Sequence, residues 1–232
     1  MAGQDITING PDGKFGAYLA TPSAGRGPGI VVIQEIFGIN QVMRDYTDAY
    51  AARGYFALCP DLFWRQEPGV QLTDKTEAEW KRAFALMEGF DADAGIKDIQ
   101  ASINHLRKAK GATGKVGAVG YCLGGFLAYL TACRTDSNAS VGYYGVNIAT
   151  KLDEAKNIKH PLMLHMAGKD QFVPPDAQKQ MIDGLKGNRH VTLHQYPEMD
   201  HAFAREGGDH YDKACAELAN GRTATFFRQH LS

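Results

Sequence analysis

Cysteine is scarce in this 232-residue chain, and the four present, Cys59, Cys122, Cys133 and Cys215, form no Cys-x-x-Cys pair. That excludes a disulfide-stapled scaffold and a cysteine-based zinc ribbon, and it leaves Cys122 without a nearby resolving thiol for redox cycling. No zinc-binding histidine pair replaces them, since His190 and His194 fall in a strand-like segment rather than on a helix face. No metal and no organic cofactor is expected. Charge of either sign is not in excess: 25 basic and 26 acidic residues give a net charge of -1. A broad positive field for nucleic acid or anionic lipid is thereby excluded, and a small-molecule partner is expected instead. Apolar runs never approach the roughly 18 residues of a membrane span, and residues 1–5 lack a basic segment followed by an apolar one. A soluble, cytoplasmic protein is expected, as a monomer or small homo-oligomer. Repeats, low-complexity tracts and linkers are absent too, so residues 1–232 read as one domain.

What is present is an alternation of short apolar runs with helical patterns. Ile6 and Ile8, then Phe15, Ala17 and Leu19, alternate with polar neighbours around the turn residues Asn9-Gly10-Pro11-Asp12-Gly13, which predicts an antiparallel hairpin edge. Continuous apolar runs follow at residues 29–33, 55–59, 115–119, 141–144, 161–166 and 191–196, the pattern of parallel strands covered on both faces. Helices are predicted over residues 41–53, 91–110, 123–134, 174–185 and 210–230. Ile96, Ile99, Ile103 and Leu106, three and four residues apart, put one face of the second against the sheet. An amphipathic stretch at 75–87, inside a long connection, reads as a lid.

One junction carries chemistry. Gly120-Tyr121-Cys122-Leu123-Gly124 lies between an apolar strand and a helix, where a sharp turn would lift the central side chain above the sheet. Glycines two positions away relieve crowding in such a turn. A sulfur there sits at a helix N-terminus, which favours thiolate and offers backbone amides to an oxyanion. With 26 glycines in the chain, a cysteine flanked this way arises by chance about once in 80. The bland alternative is a buried structural cysteine.

Chain order argues against the bland alternative. Asp170 follows the strand at 161–166 and His201 follows the strand at 191–196, so nucleophile, acid and histidine come in sequence at successive strand ends. Asp200 is a rival acid, but a carboxylate adjacent to a histidine in sequence rarely faces its imidazole; Asp170 is preferred.

The segments Gln34-Glu35-Ile36-Phe37-Gly38, Cys59-Pro60-Asp61-Leu62, Gly120-Tyr121-Cys122-Leu123-Gly124-Gly125, Gly142-Tyr143-Tyr144-Gly145 and His201-Ala202-Phe203-Ala204-Arg205 resemble the dienelactone hydrolases, or carboxymethylenebutenolidases. The resemblance runs from about Ile6 to the last helix. It implies an α/β-hydrolase fold, with a mostly parallel central sheet, an antiparallel N-terminal edge and helices on both faces. It also implies a Cys122-His201-Asp170 triad opening small lactones, in the breakdown of aromatic compounds. Glu35 matches a glutamate that helps generate the thiolate, the amides of Ile36 and Leu123 match the oxyanion hole, and Arg205 matches an arginine gripping a substrate carboxylate. Phe37 and Tyr143 fall in the substrate-binding segments. Trp80 stands where the family carries a second arginine, a departure that favours a larger or less charged substrate. The same machinery would serve a broader carboxylesterase or thioesterase, and a non-catalytic ligand-binding relative is the alternative from another class.

Overall fold

The computed structural model describes residues 3–232. Eight strands form one sheet in the order β1-β2-β4-β3-β5-β6-β7-β8, mostly parallel with an antiparallel edge. The chain clusters into two compact units, Met1–Ala118 and Val119–Ser232, whose boundary falls inside strand β5 (Ala112–Tyr121).

In the first unit β1 (Gln4–Asn9) and β2 (Lys14–Ala20) make the expected hairpin, closed by the Gly10 amide donating to the Gly13 carbonyl at 2.8 Å. Gly13 has a φ of 148°, a region open to glycine and strained for other residues. Strand β2 also runs antiparallel to β4 (Phe56–Pro60), which pairs in parallel with β3 (Gly27–Ile33). Residues 30–33 are fully buried, which explains why that strand reads as an unbroken apolar run. Helix α1 (Gln41–Ala52) starts where the Asn40 side chain accepts from the Met43 amide. The predicted lid is helix α2 (Glu77–Glu88), capped at Thr76, whose hydroxyl accepts from the Glu79 amide while Glu79 reaches back to the Thr73 amide and hydroxyl. In α3 (Ala92–Arg107) Ile96, Ile99, Ile103 and Leu106 are all buried, as their spacing predicts. Asp98, buried on the same helix, accepts from Trp64 Nε1 at 2.9 Å and pairs with Arg65 through both carboxylate oxygens. The partners of Asp98 lie over thirty residues away, so no local pattern announces this anchor.

The second unit is organised around α4 (Leu123–Arg134), buried from Leu123 to Cys133 and packed on β6 (Ala139–Tyr143). An apolar circumference is what a helix enclosed on all sides needs. Leu127 and Leu130 are fully buried there, each contributing about 1.5–3 kcal/mol by leaving water. After β6 the chain makes an irregular 3-10 segment, Ile148–Asn157, that the sequence pattern does not reveal. Then follow β7 (Leu162–Ala167), α5 (Pro175–Leu185), β8 (Val191–Tyr196) and α6 (Lys213–Leu231), within about three residues of the expected bounds. Strands β6, β7 and β8 pair in parallel, so the loops after β7 and β8 emerge at the same end. No helix among the described residues is long and apolar enough to cross a membrane.

Candidate active site

Cys122 is the residue at the β5–α4 junction, with φ 57° and ψ -115°, backbone angles that cost a non-glycine residue about 1–3 kcal/mol. Hydrogen bonds hold the strain in place: its amide donates to the Tyr143 carbonyl at 3.1 Å, and its carbonyl accepts from the Gly125 and Phe126 amides. The glycines have steric reasons. A Cβ at Gly120 would collide with the backbone of Gly124, and one at Gly125 with the backbone of Tyr143 and Gly145. The turn therefore closes only with bare backbone at those places.

The loops after β7 and β8 deliver the other two groups. They are tied together by the Gly168 amide donating to the Tyr196 carbonyl and the Lys169 amide to the Met199 carbonyl, both at 2.8 Å. Gly168 lies so close to Pro197 that a side chain would not fit. In this arrangement Asp170 Oδ2 lies 2.8 Å from His201 Nδ1, and both side chains are buried. Asp170 Oδ1 accepts from the Phe172 amide at 2.9 Å, so both carboxylate oxygens are engaged. A carboxylate only accepts, so Nδ1 carries a proton and Nε2 is left to face sulfur. The imidazole also hydrogen-bonds the Cys122 side chain. Burial alone would depress its pKa, but the charge of Cys122 and the bonds to Asp170 and Cys122 outweigh it and push His201 up to about 10. The rival, Asp200, turns its carboxylate to the backbone amide of His201 at 2.6 Å.

Two aromatic rings flank the imidazole edge-on, Tyr144 at 5.1 Å and Phe172 at 4.8 Å between centroids. Neither was singled out by sequence reasoning. Phe172 is 40% exposed, a large apolar ring left on the surface beside a buried histidine. Its position two residues after Asp170, with its amide bound to that carboxylate, is the signal that was there to be read. Tyr143, named from the sequence, has its hydroxyl at 2.7 Å from Thr223 Oγ1 and 3.0 Å from Asn220 Oδ1, while it is Tyr144 that meets the imidazole.

An aligned carboxylate, imidazole and sulfur at the start of a helix is machinery for acyl transfer. Residues 15–231 match the model of the Dienelactone hydrolase family. The chain belongs to the dienelactone hydrolase family. A protein from Azospirillum brasilense provisionally named carboxymethylenebutenolidase is 54% identical over 98% of this chain and 99% of its own length. The carboxymethylenebutenolidase of Pseudomonas putida is 40% identical, covering 97% of this chain and 96% of the other. Among solved structures, a Klebsiella pneumoniae protein provisionally named a dienelactone hydrolase superposes with a TM-score of 0.87 at 25% identity, covering 98% of both chains. This dienelactone hydrolase family member is a hydrolase of esters or lactones with the α/β-hydrolase fold.

The remaining candidates in this dienelactone hydrolase relative are placed as follows. In the second unit Leu123 is buried in the first turn of α4, where amides lack helical carbonyl partners. Arg205 is half-buried, and its amide donates to the Ala202 carbonyl in the turn that carries His201. In the first unit Glu35 and Ile36 are buried on the loop after β3, beside Gln34, which accepts from the Leu62 amide. Phe37 meets Trp80 edge-on at 5.0 Å, and Trp80 stacks on Phe84 while its indole N-H donates to the Asp74 carbonyl. Among the described residues no three His, Cys, Asp or Glu side chains cluster as a metal-holding group.

Proposed function

We propose that Cys122 is the nucleophile of a lactone hydrolase whose reaction is of the dienelactone-to-maleylacetate type, with His201 as its acid–base group and Asp170 as the residue that orients the imidazole. The observation carrying this reading is the 2.8 Å contact from Asp170 Oδ2 to His201 Nδ1, with Cys122 bonded on the other side of the ring. The sulfur, as thiolate, forms a bond to the lactone carbonyl carbon. The carbonyl electron pair moves to oxygen, where the Leu123 amide at the helix N-terminus donates to it. Collapse breaks the ring C–O bond, leaving a thioester, and the released enolate takes the imidazolium proton. One water then adds to the thioester with neutral His201 as base, and the second collapse expels thiolate. The sum is one lactone and one water giving an acyclic carboxylic acid.

Arg205, near His201 in sequence and half-buried, suits the role of anchor for a substrate carboxylate. For Glu35 as an aid to thiolate formation, Ile36 as a second oxyanion donor, and Phe37 and Tyr143 as substrate contacts, the family pattern is the support. So it is for a place in aromatic-compound degradation. Trp80, with aromatic partners where the family carries an arginine, favours neutral esters as a second substrate class. Turnover of a dienelactone acid against its neutral methyl ester tests the reading, with Cys122→Ala as control. Preference for the acid, lost in the control, is expected; equal turnover of acid and ester shifts the assignment to a general esterase.

A further inference from the structure

Three residues in unfavourable backbone conformations frame the proposed nucleophile and base: Cys122 itself, Ala202 next to His201 with φ 63°, and Tyr144, whose φ is 38° and whose ring meets His201; Cys122 and Tyr144 share one support. Such conformations persist only where the surroundings over-determine them. The Cys122 amide is held by the carbonyl of Tyr143, and the Tyr144 amide by the carbonyl of His165 at 2.7 Å. Tyr143 and His165 are in turn joined through their side chains to a buried hydrogen-bonded chain reaching α6. Arg222 Nη1 lies 3.2 Å from the Tyr196 hydroxyl, Tyr196 2.8 Å from His165 Nδ1, and His165 Nε2 3.0 Å from Thr223 Oγ1. Thr223 Oγ1 lies 2.7 Å from the Tyr143 hydroxyl, which ends on Asn220 Oδ1 at 3.0 Å.

The polarity of this chain follows from counting protons. Arg222 can only donate, so the Tyr196 oxygen accepts from it. If His165 Nδ1 also donated to Tyr196, the buried Tyr196 proton would have no acceptor among the described residues, and a buried donor left without an acceptor is costly. Tyr196 therefore donates to Nδ1. The Tyr143 proton goes to the Asn220 oxygen, so Thr223 gives its own proton to Tyr143 and accepts from His165 Nε2. Every group donates once in the same direction, from Arg222 to Asn220, and each bond polarises the next. Burial, with the charges of His194 and Arg222, holds the His165 pKa well below that of a free histidine, in keeping with a neutral ring.

We propose that His165, locked as the neutral Nε2-H tautomer in this one-way chain, and Thr223, its acceptor, are positioning residues: they fix Tyr143 and the β6–β7 backbone that hold Cys122 and Tyr144 in their strained conformations. This rests on the proposed role of Cys122. Neither residue touches substrate; each acts through the backbone carbonyl that grips a strained neighbour.

The test pairs Thr223→Val, which keeps the shape and removes the hydroxyl, with Thr223→Ser, which keeps the hydroxyl and removes a methyl. Valine is expected to slow lactone turnover and iodoacetamide labelling of Cys122 together, about three- to tenfold, with KM within about twofold, and serine to restore both. Nitrogen-15 NMR of the wild-type enzyme should show His165 protonated at Nε2 and unprotonated at Nδ1, a readout that needs no variant to fold. A proton on Nδ1, or valine as active and as readily labelled as wild type, overturns the proposal. Serine as impaired as valine overturns it too, by making Thr223 a packing residue. Activity surviving in Cys122→Ala would instead defeat the nucleophile assignment, while the tautomer and labelling rates still report on the chain.

Discussion

His201 Nδ1 faces Asp170, thirty-one positions away, at 2.8 Å, while the adjacent Asp200 spends its carboxylate on the His201 backbone amide. The two acids therefore differ in what their removal does. Asp170→Asn should lower turnover by about 10²–10⁴, because an amide can present its N-H to Nδ1 and favour the wrong tautomer. Asp200→Asn should change the melting temperature more than the rate, since it weakens a loop contact. Comparable rate losses in both would show that imidazole orientation is not the property at stake.

Cys122→Ala should abolish hydrolysis in a folded protein, since it removes the sulfur without adding bulk to the turn. Iodoacetamide should label Cys122 ahead of the others. Burial pushes the Cys133 thiol up to about 12 and Cys59 higher still, and Cys215 is raised by burial and by Asp212. Mass spectrometry of briefly treated native enzyme reads this directly, and equal labelling of all four thiols would mark Cys122 as structural.

His201 is displaced upward while burial lowers His165 and, with it, His194 and His105, so the pH profile has two limbs. His201, raised to about 10, adds stability that is complete below an unfolded value of about 6.5 and is lost as pH climbs through about 10. His165, depressed by burial, has the other sign: below about pH 6.5 the unfolded chain binds a proton that the folded one refuses, so stability falls with acid. Because the Cys122 charge leads the contributions that raise His201, the His201 ring should titrate at lower pH in Cys122→Ala. Proton NMR of the imidazole in both proteins measures it, and an unchanged titration would mean that the sulfur carries no charge beside the ring.

Arg205→Ala should raise KM for an acidic lactone roughly ten- to a hundredfold, the loss of a charge-assisted bond worth about 1.5–3 kcal/mol, and leave the neutral methyl ester nearly unaffected. Steady-state kinetics on the two substrates decides. If both suffer alike, Arg205 supports the His201 turn rather than binding a carboxylate.

Gly120→Ala should destabilise the protein by several kcal/mol, since the atoms nearest the new methyl are Gly124 backbone, and backbone in a closed turn cannot step aside. Urea unfolding checks it. A loss near that of Gly16→Ala, where no atom beyond the neighbouring residues of the chain lies within 4 Å of the added carbon, would show that the elbow has slack.

Features that depend on near neighbours in the chain were legible from residue order. The apolar period of α3, the hairpin of β1 and β2, and Gly120 before Cys122 each express a local rule, whether a face to bury, a turn to close or a clash to avoid. So does the order of Cys122, Asp170 and His201, because each sits at the end of a strand the pattern reveals. Tertiary structure alone decided the rest. It brought Asp170, which residue order already favours over Asp200, to 2.8 Å from the imidazole, because the loop after β7 is pinned against the loop after β8 by backbone hydrogen bonds that side-chain chemistry does not encode. It set Tyr144 and Phe172 against His201, and it sent the Tyr143 hydroxyl to Thr223, eighty positions away. A side chain's direction depends on backbone angles and on partners distant in sequence, and composition and periodicity carry neither.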